Sequence, residues 1–280
     1  MITNIQSLKD KAKNCAIQNN LSVGQVLQNY MFERFLERLS KSQYSDKFII
    51  KGGLLLSSIM GINVRTTMDI DADVTGMNFE KDEIAKMIKE IIQINIDDEV
   101  EIILDKVEDI REDNKYGGYK FKLIAKFSNL KIPFHIDIST GDIITPRAIE
   151  YKYKMILEDE YINIWTYNQE TIVAEKLQTI LARKIENSRM KDFYDIYYFM
   201  TFRWNEINED ILKKAVQATF SKRETLSDLE NIEQIIKTLA GDKRLKVLWK
   251  DYQDKFKYAK NVNYEDTIKA IESIKNILIL

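Results

Sequence analysis

The chain has 280 residues, of which 45% are hydrophobic and 31% are charged, so it can bury a core and is neither a disordered tail nor a fibre. Its 42 basic and 44 acidic residues give a net charge of -2, which excludes a global positive field that attracts nucleic acid or an anionic membrane. A single cysteine, Cys15, no signal-peptide pattern and no apolar run of membrane-spanning length lead us to expect a cytoplasmic protein without a membrane partner.

Helical and strand-like segments alternate in the N-terminal half of the chain. Apolar residues at three- and four-residue spacing predict helices over 5–18, 22–40, 54–60 and 80–94. Short runs rich in β-branched and aromatic residues predict strands over 48–50, 68–74, 99–107, 119–127 and 132–139. This mixture indicates an α/β (α+β) domain built on a mixed sheet.

The C-terminal half is dominated by helical patterns. A strand-like run over 161–167 lies at the junction, and helix-period segments follow over 169–186, 190–202, 207–220, 225–240, 243–258 and 264–278. Both prolines and every glycine but Gly241 precede residue 147. We therefore expect two domains, an α/β domain over 1–146 and a mostly helical domain over 147–280.

The first candidate site is a glycine pair between a predicted strand and a predicted helix. Lys51, Gly52 and Gly53 follow the apolar run over 48–50 and precede the helix over 54–60. Paired glycines let the backbone approach a ligand closely, and the free amides of a helix's first turn favour anions. The motif is a candidate phosphate cradle, with an ordinary turn as the alternative.

The second candidate site is a run of aspartates on the predicted strand over 68–74. Asp69, Asp71 and Asp73 share one face of this strand, because residues two apart point the same way. Like charges at this spacing repel one another, and a cation relieves the repulsion. Carboxylates on a rigid strand suit Mg²⁺. The pattern therefore predicts a metal site, with a solvated strand face as the alternative.

A further carboxylate lies on the predicted strand over 132–139, where His135, Asp137 and Ser139 share a face. If this strand neighbours the one over 68–74, Asp137 joins Asp69 and Asp71 around metal ions, in the arrangement that stabilises the attacking and leaving oxygens of phosphoryl transfer. His135 is the only histidine, which excludes a histidine-rich metal site, and we interpret it as structural.

Two cations and two acids mark the first helices of the C-terminal half. Lys176 and Arg183 share a face of the helix over 169–186, from which they can contact a triphosphate; a solvated helix face is the alternative. Asp192 and Asp195 lie on one face at the start of the next helix, where acids interact favourably with the helix dipole. The alternative to this helix-stabilising role is that the acid pair is catalytic or orients a lysine.

A basic segment occurs near the C-terminus, over 243–260. It carries seven cations and two acids, interleaved with aromatic residues. We predict that the aromatic stripe faces a core, and that Lys246, Lys250 and Lys257 form an RNA-docking surface. The alternative is a packed helix whose lysines are only solvated.

Four motifs, taken in order, carry a resemblance to a known family. They are KGG at 51–53, RTTMDIDADV at 65–74, ETIVAEKLQTILAR at 170–183 and SRMKDFYDIYYF at 188–199. With them the chain resembles the AbiEii/AbiGii toxin family of nucleotidyltransferase-like proteins.

This resemblance implies a polymerase-β-like nucleotidyltransferase core followed by an α-helical C-terminal domain. It implies Mg²⁺ or Mn²⁺ as the cofactor, NTP as the substrate, and transfer of NMP to an RNA acceptor, which is tRNA in the characterised relatives. Such transfer blocks translation and growth in a toxin–antitoxin or phage-abortive-infection system. A cognate antitoxin is the implied partner, whether or not it binds directly.

The resemblance and the residue patterns together assign roles to individual positions. Catalytic roles fall on Asp69, Asp71, Lys176, Asp192 and Asp195, and metal binding falls on Asp69, Asp71 and Asp137. Nucleotide contacts fall on Lys51, Gly52, Gly53, Arg65, Thr66, Lys176, Arg183 and Lys191. The chain departs from the common pattern at Gly53, where nucleotidyltransferases have a serine.

Two alternatives to RNA modification remain open at this point. One alternative is a non-catalytic nucleotidyltransferase fold that binds a nucleotide or a partner protein, because a fold does not determine a function. Transfer of NMP to a protein hydroxyl is the other alternative. Retention of Asp69, Asp71 and Lys176 favours an enzyme.

Overall fold

The computed structural model describes residues 2–65, 67, 69–110 and 117–279. The chain divides into two structural units. The first contains the residues up to Gly141 together with Ile149–Thr166, and the second contains Asp142–Ala148 and the residues from Tyr167 onward.

The first unit contains the sheet and the four N-terminal helices. Its helices are α1 (Ile5–Asn19), α2 (Val23–Ser40), α3 (Gly52–Met60) and α4 (Lys81–Ile92). Its strands are β1 (Phe48–Lys51), β2 (Ile70–Val74), β3 (Val100–Ile110), β4 (Gly118–Phe127), β5 (Leu130–Thr140), β6 (Ile149–Lys154) and β7 (Tyr161–Thr166). They form one mixed sheet in the order β3-β4-β5-β2-β1-β7-β6.

Strand β2 lies in the middle of this sheet, antiparallel to β1 and parallel to β5. Its apolar residues Ile70 and Ala72 are fully buried, as are Ile136 and Ile138 of β5. Because side chains alternate between the two faces of a strand, the polar residues of β2 and β5 share the other face. The register pairs Asp71 with Asp137.

Helix α2 packs against the sheet and carries two buried ionisable side chains. Glu33 and Arg34 have no exposed surface. Glu33 Oε1 accepts a hydrogen bond from the Ile156 amide at 2.7 Å, and Arg34 Nη2 donates to Glu158 Oε2 at 3.1 Å. These bonds tie α2 to the connection between β6 and β7.

The second unit is helical in its described residues. Its helices are α5 (Gln169–Arg183), α6 (Met190–Phe202), α7 (Glu209–Lys222), α8 (Leu226–Glu230), α9 (Ile232–Gly241), α10 (Lys243–Lys255) and α11 (Tyr264–Ile279). Asn168 caps α5, since its Oδ1 accepts from the Thr171 amide at 2.8 Å. Its Nδ2 also donates to the Thr145 carbonyl at 2.6 Å, which fixes the start of α5 on the segment Asp142–Ala148.

The predicted fold class, a mixed-sheet domain followed by a helical region, is confirmed. The structure differs from the sequence-based boundary at 146/147, because β6 and β7 return to the sheet before α5 begins. No element was predicted for β6, where only Tyr153 is buried and the apolar alternation of a strand is therefore weak. The helix predicted over 225–240 is divided into α8 and α9 at Asn231. None of the described helices is long and apolar enough to cross a membrane.

Candidate active site

The glycine motif joins β1 to α3 without a loop, because Lys51 ends the strand and Gly52 begins the helix. Gly52 has a φ of 65°, a left-handed conformation that favours glycine. A Cβ at Gly52 would overlap the Asp71 carboxylate and lie 2.7 Å from Asp71 Cβ. The Gly53 amide donates to Asp71 Oδ2 at 3.1 Å. The motif therefore holds Asp71, and the Gly53 amide suggested for a phosphate contacts this carboxylate.

Asp69 lies just before β2 and contacts two polar side chains. Thr67 Oγ1 donates a hydrogen bond to Asp69 Oδ1 at 2.5 Å. On the other side, His135 Nε2 lies 3.9 Å from Asp69 Oδ2. No role for Thr67 follows from the sequence pattern, from which His135 is interpreted as structural.

Asp69, His135 and Asp137 form a cluster that can hold a metal ion. Each offers one ligand atom, and the three atoms all lie within 4.8 Å of one another. Asp71 lies next to this cluster, because its Cα pairs with that of Asp137 in the β2–β5 ladder. The alternation of β5 places His135 and Asp137 on one face, but the metal site predicted from the sequence contains Asp69, Asp71 and Asp137 and leaves His135 out.

The carboxylates of this cluster repel one another. Desolvation, followed by the nearby charge of Asp69, raises the pKa of Asp71 above its ordinary value. Two lysines offset part of the negative charge: Lys51 lowers the pKa of Asp71, and Lys120 Nζ donates to both oxygens of Asp137 at 2.6 and 2.8 Å. A group of crowded carboxylates of this kind fits a divalent cation with a preference for oxygen ligands.

The remaining sequence candidates of the first unit lie around these acids. Lys51 Nζ donates to Ser139 Oγ at 2.7 Å, and Ser139 Oγ lies 3.3 Å from Asp73 Oδ1. Asp73, which the predicted strand places on one face with Asp69 and Asp71, is fully buried and does not line an open surface. Arg65 is buried as well. Thr66, a predicted nucleotide contact, lies outside the described residues.

In the second unit, α5 and α6 bring Lys176 together with Asp192 and Asp195. Lys176 Nζ lies 2.6 Å from Asp192 Oδ1 and 3.3 Å from Asp195 Oδ2. Arg189 Nε donates to the other oxygen of Asp192 at 2.8 Å. Both carboxylates are fully buried, whereas 13% of the Lys176 side chain is exposed. The acid pair therefore contacts the lysine directly.

Ionic contacts keep Asp192 charged although it is buried. Burial raises the pKa of this carboxyl, but the charges of Lys176 and Arg189 and their hydrogen bonds outweigh burial and lower the pKa to about 2. Two other sequence candidates lie nearby in the chain: Arg183 is exposed at the end of α5, and Lys191 is half-buried in the first turn of α6.

A family model described as nucleotidyl transferase AbiEii toxin, type IV TA system, matches residues 34–272. The chain belongs to this family. This membership confirms the resemblance drawn from the sequence motifs. It makes the chain an AbiEii nucleotidyltransferase toxin of a type IV toxin–antitoxin system.

Solved structures share the fold of this AbiEii toxin. MenT4, a nucleotidyltransferase toxin from Mycobacterium tuberculosis, is 13% identical with a TM-score of 0.52, and the match covers 96% of this chain and 98% of MenT4. A candidate nucleotidyltransferase from Helicobacter pylori is 13% identical with a TM-score of 0.50, and the match covers 92% and 98% of the two chains. At this identity the likeness shows the fold alone. No curated protein sequence matches the chain.

The basic segment of the AbiEii toxin spans more than one element. Lys246 and Lys250 are exposed on α10, but α10 ends at Lys255, so Lys257 lies beyond it in a short 3-10 turn. Lys246 pairs with Glu265 at 2.9 Å and Lys250 with Asp254 at 3.2 Å. Trp249 and Tyr252 are buried, in agreement with the predicted core-facing stripe.

Proposed function

We propose that this AbiEii toxin transfers NMP from NTP to a hydroxyl of an RNA acceptor with release of pyrophosphate, with the 3′ end of tRNA as the first candidate acceptor, and so blocks translation and growth. The observation that carries the proposal is the cluster of Asp69, His135 and Asp137, with Asp71 beside it, in a chain of the nucleotidyltransferase toxin family. The pairing of β2 with β5 assembles these acids from two separate strands.

We assign metal binding to Asp69, Asp71 and Asp137. Carboxylates suit Mg²⁺ and Mn²⁺, whereas imidazole is a more typical ligand of the later transition metals, so His135 is assigned a supporting position beside Asp69. The bound cation would neutralise charge on the triphosphate and on the attacking and leaving oxygens. Two of these carboxylates accept hydrogen bonds from the protein, Asp71 from the Gly53 amide and Asp69 from the Thr67 hydroxyl.

We assign to Lys176 the stabilisation of the negative charge that develops on the triphosphate during transfer. The contacts with Asp192 and Asp195 support this role, because they restrict a flexible side chain to one orientation. Asp192 and Asp195 are then positioning residues for the lysine. Arg183 and Lys191 are proposed as further nucleotide contacts.

The acceptor and the partner complete the proposal. Lys246, Lys250 and Lys257 are the proposed docking surface for the RNA backbone, and the cytoplasm is the expected compartment because NTP and tRNA occur there. A cognate antitoxin is the expected partner of a type IV toxin. NMP transfer to a protein hydroxyl and binding without catalysis are the competing functions.

The decisive experiment measures transfer from each of the four α-phosphate-labelled NTPs into total RNA and total protein. We expect label in RNA with the wild-type chain and Mg²⁺, and none with Asp69→Asn. Label in protein alone would establish the protein-hydroxyl alternative. If the folded wild-type chain labels neither fraction with any NTP, the enzymatic proposal is wrong.

A further inference from the structure

Thr67 occupies a buried position between the glycine motif and Asp69. Only 7% of its surface is exposed, and its hydroxyl lies 2.5 Å from Asp69 Oδ1 and 3.4 Å from the Asp69 carbonyl oxygen. A hydroxyl bond to a carboxylate at this distance has the length of a charge-assisted hydrogen bond. The hydroxyl therefore fixes the rotamer of a carboxylate whose other oxygen faces His135.

The same threonine requires a glycine at position 53. A Cβ built on Gly53 would overlap Thr67 Oγ1 and lie 2.8 Å from Thr67 Cβ, while its distance to Asp69 Oδ1 would be 3.8 Å. Real Cβ atoms do not make contacts as close as 2.8 Å. Any side chain at position 53 would displace Thr67 first, and Asp69 would lose its hydrogen-bond donor as a result.

Gly53 is thus linked to both aspartates, to Asp71 directly through its amide and to Asp69 through Thr67. Its amide donates to Asp71 Oδ2 at 3.1 Å, and a Cβ built on it would overlap the Thr67 hydroxyl that donates to Asp69. A serine at position 53, the residue expected from the wider nucleotidyltransferase pattern, cannot fit beside Thr67 as the structure places it. The residues allowed at positions 53 and 67 therefore depend on each other through packing.

We propose that Thr67 is the positioning residue for Asp69, and that this chain has glycine at position 53 because the Thr67 hydroxyl fills the space of a side chain there. The inference rests on the proposed metal role of Asp69. Loss of a hydrogen bond to a metal ligand typically weakens metal binding by about 10- to 100-fold. A hydroxyl that only closes a local turn has no such effect, since its removal changes folding and leaves metal affinity unaltered.

Direct Mn²⁺ binding to the full chain, followed by the electron paramagnetic resonance of unbound Mn²⁺, tests the inference. Thr67→Val keeps the shape of the side chain and removes the hydroxyl, and we expect the dissociation constant for Mn²⁺ to rise about 10-fold or more. Thr67→Ser restores the hydroxyl and should restore the affinity. Thr67→Ala serves as a second variant without the hydroxyl if valine does not fold.

Thr140→Val is the matched control. It removes a threonine hydroxyl that donates to the Val74 carbonyl at 2.9 Å in the same sheet but contacts none of the proposed ligands in the hydrogen bonds of the described residues. We expect this variant to bind Mn²⁺ with wild-type affinity. If Thr67→Val lowers the melting temperature without changing Mn²⁺ affinity, Thr67 is only a turn residue and the inference is overturned.

Asp69→Asn separates this inference from the proposed function. If the wild type binds Mn²⁺ and Asp69→Asn does not, the metal role holds, and Thr67→Val alone decides the positioning role. If Asp69→Asn binds as the wild type does, the metal role of Asp69 and the positioning role of Thr67 both fail, whereas NMP transfer is still decided by the labelling experiment. Gly53→Ala should weaken Mn²⁺ binding, and adding Thr67→Val to it should cause little further loss, because both changes remove the same hydrogen bond. Fully additive losses of Mn²⁺ affinity in the double variant would overturn the coupling between Gly53 and Thr67.

Discussion

Lys176 Nζ lies 2.6 Å from Asp192 Oδ1, and the carboxylate that it contacts is fully buried. A second bond from Arg189 reaches the other oxygen of Asp192. The ammonium of Lys176 therefore pairs with a carboxylate that is held in place and shielded from water. This contact links the proposed function of the second unit to its stability, and the first two predictions use it.

Replacing Lys176 should reduce transfer sharply. For Lys176→Ala we expect a loss of about 100-fold or more, the typical cost of removing a group that stabilises transition-state charge. Lys176→Arg keeps a positive charge for Asp192, so it should melt close to the wild type, but its planar guanidinium is a poor substitute for an ammonium and transfer should remain low. Lys237→Ala, at an exposed lysine paired with Glu233, is the control for activity and melting. Normal turnover of both Lys176 variants would show that this lysine has no catalytic role.

The low pKa of Asp192 predicts acid sensitivity of the second unit. Its pKa falls from an unfolded value of 3.8 to about 2 in the folded chain, so its stabilising contribution is present above pH 3.8 and is lost as the pH falls through 2. The shift corresponds to about 2 kcal/mol. Urea unfolding between pH 6 and pH 3 should therefore show a steeper loss of stability for the wild type than for Asp192→Asn. Equal slopes would contradict the assignment.

Glu33 should give the opposite pH dependence in the first unit. Burial raises the pKa of this carboxyl from 4.5 to about 8, although the Ile156 amide and Arg34 lower it in part. The neutral form is therefore favoured in the folded chain, and its contribution is fully present below pH 4.5 and is lost as the pH rises through 8. We expect the unfolding free energy to fall by a few kcal/mol between pH 5 and pH 8.5, in order of magnitude. Glu33→Gln should flatten this fall, and parallel curves would contradict the prediction.

Replacing either Asp69 or Asp71, the two proposed metal ligands of the aspartate run, should abolish activity without lowering stability. Asp71→Asn and Asp69→Asn remove charge and little volume, so transfer and toxicity should disappear while the chain still folds. Because Asp71 is desolvated next to Asp69, its replacement also removes a repulsion. We expect Asp71→Asn to melt at or above the wild-type temperature in a chelator. Toxicity that persists in a well-expressed double variant would refute the metal assignment.

Sequence periodicity was sufficient to predict the strands that carry this site, but it was insufficient to predict the close contacts between individual residues. The alternation in β2 and β5 placed Asp71 and Asp137 on polar strand faces, and the sheet makes them register partners. Periodicity does not determine which backbone atoms approach closely, so the contact of Thr67 with Gly53 could not be found from spacing. The Lys120–Asp137 bond was missed for the same reason, since it depends on the register of β4 against β5. The exposed edge strand β6 lacked the apolar signal altogether.

The last prediction concerns the basic segment. Replacing Lys246, Lys250 and Lys257 with Gln should weaken RNA binding and flatten its salt dependence, because each lost phosphate contact lowers the slope of log K against log salt by about 0.7 to 0.9. The pairs with Glu265 and Asp254 are exposed, so their loss should leave the melting temperature nearly unchanged. If RNA docks on these lysines, the two acids compete with it for them.

Glu265→Gln therefore gives a test of opposite sign. It removes the acid that contacts Lys246 at 2.9 Å, so an RNA-docking role for this lysine predicts tighter RNA binding and a steeper salt slope than in the wild type. RNA affinity should be measured at several salt concentrations for the wild type, the triple lysine variant and Glu265→Gln. If the lysine variant binds with unaltered affinity and slope, and Glu265→Gln also has no effect, the RNA docks elsewhere. The segment would then contribute only buried residues such as Leu245, Trp249 and Tyr252 to the packing of the helical unit.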